Sequence, residues 1–178
     1  MTYTDSAEPV HVDAPLAEFS ECHHEFVARL HSALYLPELV AAAAKARAMA
    51  EDVIDLFTGG VLQHHQDEER ELFPAVVAAA RPGDEEQEVR AMVRRLVDEH
   101  RDTERRWKEL EPAVRLIATG GTPAIDHVLL EDLVQHFFAH AHYEEEHFLP
   151  AAQRILGRQS QDMAALGKAL HTRHAAAS

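Results

Sequence analysis

The chain has 178 residues, 46% of them hydrophobic, which is enough to build one domain around a single sizeable core. Its formal charge of -14, from 31 acidic against 17 basic residues, makes an average surface that repels phosphate backbones and anionic lipid, so neither nucleic acid nor membrane is an expected partner. No apolar run approaches the roughly 20 residues of a membrane span. The first residues also lack a basic start followed by an apolar stretch, which predicts a soluble, cytoplasmic protein.

Residues 1–15 carry Pro9 and Pro15 without periodicity and read as an N-terminal arm, leaving residues 16–178 as the domain. From Leu16 onward apolar residues recur three or four apart in segments rich in Ala, Leu, Glu and Arg, and no stretch alternates with period two, so the chain reads as all-α. Breakers at Pro37, Gly59 and Gly60, Pro82 and Gly83, Gly120, Gly121 and Pro123, and Gly157 delimit the elements. They predict helices over 16–35, 38–80 with a possible kink at Gly59, 85–118 and 124–156. A shorter helix over 160–174, with Met163, Leu166 and Leu170 at helical spacing, covers one end, and its His171 and His174 face solvent. The expected architecture is an up-down four-helix bundle with a short additional C-terminal helix.

The two halves resemble each other. His64, Glu68, Leu72, Phe73 and Pro74 align with His140, Glu144, Phe148, Leu149 and Pro150 at a constant offset of 76, a helical hairpin used twice. In each half the His and Glu stand four apart, about 40° around a helix axis, so both side chains reach one point. Phe57, Val61, Leu72 and Ala75 lie within about 80° of His64 in helical phase, which turns this pair inward. The third helix places His100 on the face of Val93, Leu96, Val97 and Trp107. For the first helix the readings diverge: the offset back from His100 points to His24, whereas Leu16, Phe19, Phe26, Val27, Leu30 and Leu34 cluster around His23. Burial sets which way a helix turns while a loop easily gains a residue, so His23 is taken, with His24 in reserve. Two HxxxE pairs and a histidine from each remaining helix suit two metal ions held between helices.

At these residues the chain resembles the hemerythrin-like, or HHE cation-binding, domains. The resemblance runs from about Leu16 to Leu156 and rests on HHQDEERELFP (His64–Pro74), EHR (Glu99–Arg101), HAHYEEEHFLP (His140–Pro150) and, more weakly, CHH (Cys22–His24). It implies the metal ligands His23, His64, Glu68, His100, His140 and Glu144, with the two glutamates bridging a pair of non-haem irons that share an oxo or hydroxo bridge. Imidazole and carboxylate suit iron, and manganese or zinc is a chemical alternative. The oxygen-carrying hemerythrins add a histidine one turn along the third helix, where this chain has Glu104. Glu104 is then a further ligand, a proton donor or the partner of a cation. The resemblance implies a protein that binds O2, NO or H2O2, with turnover of peroxide or NO, or iron storage and delivery, as the competing readings, and a redox partner where electrons are exchanged.

Other residues read as background. His11, His31, His65, His127 and His142 fall on surface or flanking phases, and Glu69, Arg70 and Glu145 on a solvated face. His136 and His147 project near the ligand face, with Glu71 at the place equivalent to His147, so His147 and Glu71 are candidates to support the ligands from outside. Tyr143 reads as a core tyrosine beside His140, and Cys22 as a packed small residue.

Overall fold

The computed structural model describes residues 14–158, and every regular element among them is helical. The expected arm lies almost wholly outside these residues, as do the helix expected over 160–174, His11, His171, His174 and the packing of Cys22. Among the described residues no helix is long and apolar enough to cross a membrane.

The elements run α1 (Ala14–Ala33), α2 (Leu36–Asp55), a π turn (Leu56–Val61), α3 (Leu62–Asp67), a second π turn (Glu68–Leu72), α4 (Phe73–Ala79), α5 (Asp84–Ala118), α6 (His127–Tyr143), a third π turn (Glu144–Phe148) and α7 (Leu149–Leu156). The chain divides into two compact units, residues 1–45 and 46–178. The first holds α1 and the start of α2, and Phe26, Val27 and Leu30 on α1 and Leu34 just after it are exposed.

In the second unit the helical path runs unbroken from residue 46 to residue 79, reverses, follows α5, reverses again and follows α6 into α7. Gly83, at φ 106°, and Gly120, at φ 88°, take the left-handed backbone at the two ends of α5. Asp84, Glu85 and Glu86 in its first turn and Arg115 in its last complement the helix dipole. Asp126 starts α6 by accepting a hydrogen bond from the Leu129 amide at 3.0 Å.

The second and third π turns share the offset of 76 that relates the two halves of the sequence. The Phe73 amide donates to the Glu68 carbonyl and the Leu149 amide to the Glu144 carbonyl, each reaching five residues back. Pro74 and Pro150 follow directly. Proline has no amide to donate and its ring crowds the carbonyl four residues before it, so a widened turn relieves that clash in both halves. At Gly59 and Gly60 the sequence allows a kink, and the structure has a π turn there, closed by the Leu62 amide on the Phe57 carbonyl.

α4 packs on α5 and α7, and α5 packs on α6 and on the π turn at Glu144–Phe148. Two apolar cores result. One holds Leu72, Phe73, Val76, Val89, Leu96, Phe148 and Ile155; the other holds Phe57, Val61, Trp107, Leu110, Val114 and Leu133. Along every helical stretch a polar layer separates them: His65, Asp67 and Glu68, then His100 and Thr103, then His140 and Glu144, all buried. Phe73 of the first core lies 5.8 Å from the His100 ring, and Phe137 beside the second lies 6.5 Å from His65. The functional question is why a chain should place so much polarity between two apolar cores.

Candidate metal centre

Burial of the polar layer is nearly complete. His65 is 1% exposed, His100 0%, His140 2%, Glu68 3% and Glu144 7%. Hydrophobic packing above and below holds these groups away from water, at a cost that only hydrogen bonds, ion pairs or a cation can offset.

The ligand atoms fall into two groups. One nitrogen from each of His65, His100 and His140 lies within 4.8 Å of the other two, and one atom from each of His64, Glu68 and Glu144 forms a second group at the same separation. Glu68 joins them: its Oε1 is 3.2 Å from His64 Nε2 and its Oε2 is 3.3 Å from His100 Nε2. On the far side His140 Nε2 stands 4.0 Å from Glu144 Oε2.

Five of the six residues picked from the sequence thus form one connected cluster. His23 lies on α1 in the first unit, where its ring and that of His24 are exposed. His65 requires a correction. Read from the sequence as a surface residue, it is buried at the centre of the layer, stacked on His100 with centroids 3.8 Å apart, while the side chain of His64 is 46% exposed at the rim. The signal was in the sequence, since Val61, Leu72 and Val76 stand four before, seven after and eleven after His65, a helical stripe. The 76-residue repeat pulled the reading one position away.

Glu69 also requires correction. It is half-buried rather than solvated, and its Oε1 accepts from His100 Nδ1 at 2.9 Å. Glu99 does the same for His140, its Oε2 accepting from Nδ1 at 3.1 Å. Arg101 donates to Glu69 at 2.6 Å and to Glu104 at 3.1 Å, and Arg95 to Glu99 at 2.7 Å. Of the roles open to Glu104, the structure shows the partner of a cation. The other residues behave more simply. His31, His127 and His142 are exposed, His136 donates or accepts at the Glu99 carbonyl at 3.0 Å, His147 is exposed against Tyr143, and Glu71 is half-buried. Tyr143 packs on the first core under the Arg95 guanidinium, 3.5 Å from its ring centroid.

The electrostatics suit a cation. Burial, with the neighbouring His100 and His140, pulls His65 down to about 3, and burial, opposed by Glu99, also lowers His140, so both rings are neutral at pH 7 with lone pairs to offer. Burial pushes the Glu144 carboxyl up and the adjoining Glu68 pushes it further. Glu68 goes the other way: burial raises it, but contacts with His100, Glu144 and His64 hold it below the usual carboxylate range. The pair therefore shares a proton where no cation lies between them.

The fit is tested by the atoms left over. His65 Nδ1 and Nε2, His100 Nε2, His140 Nε2 and Glu68 Oε2 are buried with no hydrogen-bond partner. Each such atom costs about 1–3 kcal/mol, and a natural fold leaves few of them. Here one nitrogen from each of the three histidines converges on the others, and a cation among them would satisfy those three together.

An all-helical fold with a buried histidine and carboxylate cluster between helices defines a cation-binding helical protein. The chain belongs to the hemerythrin family: the model of the hemerythrin HHE cation-binding domain matches residues 14–152. Searches of curated proteins and of solved structures found no match.

Proposed function

We propose that the chain is a non-haem di-iron protein that binds a small ligand, O2, NO or H2O2, at a carboxylate-bridged iron pair. The observation that carries the reading is Glu68, whose two oxygens face one ligand group each, His64 on one side and His100 on the other, within a buried layer of partnerless donor atoms. A carboxylate so placed would bridge two ions held by the two groups.

His64, Glu68, His100, His140 and Glu144 hold the pair, with His65 as a further imidazole, and His23, or His24 in its place, supplies the remaining ligand from α1. An iron pair supplies a ferrous to ferric couple and an open position for the small ligand. The residues do the rest. The imidazoles fix the cation positions, the carboxylates balance charge, and the two apolar cores exclude bulk water.

A cavity of about 280 Å³ bounded by His64, Asp67, Glu68, Ala141 and Glu144 opens on the second ligand group and has room for a diatomic or a peroxide. Loading the protein anaerobically with Fe(II) and recording the visible spectrum on adding air, NO or H2O2 tests the proposal. A reversible change marks binding, whereas oxygen release from peroxide or consumption of NO marks turnover. Iron passing to an acceptor with neither marks storage or delivery.

A further inference from the structure

Two side-chain chains of the same design reach the polar layer from solvent. In one, Arg101 on α5 bonds Glu69, which accepts from Nδ1 of His100. In the other, Arg95 on α5 bonds Glu99, which accepts from Nδ1 of His140. Glu69 follows Glu68 directly, and Glu99 precedes His100, yet each braces a histidine of another helix, 31 and 41 residues away in sequence. Both arginines are more than half exposed while both histidines are fully enclosed, so each chain crosses from water to the cluster in three residues. Glu104 anchors the outer end of the first through Arg101.

We propose that Glu69 and Glu99 are positioning residues that fix His100 and His140 in the Nδ1–H tautomer and so aim both Nε2 lone pairs at the cation positions. In water a histidine side chain favours the other tautomer, with the proton on Nε2. A ring left free in this layer would therefore turn a donor, not an acceptor, toward Glu68 and the cluster. A carboxylate accepting from Nδ1 reverses that preference and makes Nε2 a stronger base. Arg101 and Arg95 hold the two carboxylates in place by hydrogen bonds of 2.6 and 2.7 Å. The partnerless atoms agree in detail: on His100 and His140 it is Nε2 alone that lacks a partner, whereas on unbraced His65 both ring nitrogens do. His65 is thus free to take either tautomer, and its orientation is set by stacking on His100.

The inference rests on the metal-site reading for its purpose but not for its test, which is made on the metal-free full-length chain. Ring 15N shifts of the histidines report the tautomer directly. The expected result is Nδ1–H for His100 and His140 in the wild type. Glu69→Ala moves His100 alone toward Nε2–H, Glu99→Ala moves His140 alone, and Glu→Gln at either position, which keeps an acceptor, moves neither. Metal binding by the two alanine variants then weakens about 10–100-fold. Unchanged tautomers in folded alanine variants, or Nε2–H in the wild type, overturn the brace whatever the wild-type metal affinity. Wild-type protein that binds no iron, with the tautomers as expected, overturns the metal reading and leaves the brace standing. Should Glu69→Ala fail to fold, Glu99→Ala read at His140 makes the same test on the second chain of contacts.

Discussion

The imidazoles of His65 and His100 stack nearly parallel, centroids 3.8 Å apart and planes 5° from each other, within the buried polar layer. Two rings stacked in this way gain dispersion but keep water from the nitrogens between them. Both nitrogens of His65 are buried and partnerless. His65→Leu should therefore act in opposite directions on two measurements. It removes an unsatisfied polar group, so the metal-free protein gains about 1–3 kcal/mol in urea unfolding, while iron binding weakens. A variant that lost stability and kept full metal affinity would make His65 a packing residue.

Cation binding to the folded layer and not to the unfolded chain stabilises by mass action. Iron or zinc at about 100 times its dissociation constant should add about 2.7 kcal/mol, a rise of roughly 5–10 °C in melting temperature for a domain of this size. A chelator should return the midpoint to its metal-free value. Differential scanning calorimetry with and without metal reads this directly.

The first apolar core supports the polar layer from one side, and Leu96, fully buried one turn before His100, belongs to it. Leu96→Ala leaves a cavity there and should cost about 2–5 kcal/mol in urea unfolding. The loss should be similar with and without metal, since Leu96 offers the cation nothing.

Acid should loosen one contact at the end of α5. The Arg158 guanidinium beside Glu85, helped by the Arg81 amide, holds the Glu85 carboxyl down to about 2 from its ordinary 4.5. A depressed carboxyl contributes stability above its unfolded value and loses it as pH falls through the folded value. The gap in stability between wild type and Arg158→Gln should accordingly be constant above about pH 5 and narrow from there toward pH 2. Urea midpoints across that range measure it, and a gap unchanged at pH 2 would remove the ion pair from the account.

Helices were legible because their boundaries rest on local chemistry. The stretch expected over 85–118 is α5 at Asp84–Ala118, set by Gly83 and Gly120, and the stretch expected over 124–156 begins at His127 after the Asp126 cap. The choice between adjacent residues was harder. His64 and His65 differ by one step of helical phase, and the repeat favoured the first while Val61, Leu72 and Val76 favoured the second. The π turns, which shift phase by a residue on both sides of α3, leave signs only in Gly59, Gly60 and Pro74. Glu69 and Glu99 were illegible for another reason. Glu69 reads as an outward charge and Glu99 only as part of the EHR motif, and the partner of each is supplied by a different helix through tertiary packing.

The central claim is that the buried layer holds a pair of metal ions. Anaerobic titration of the metal-free chain with Fe(II), followed by metal analysis after gel filtration, tests it most directly. The account predicts saturation at about two ions per chain, abolished in a Glu68→Ala variant that still folds. Wild-type protein that emerges folded and without iron, or that binds iron equally well with Glu68 removed, would contradict it.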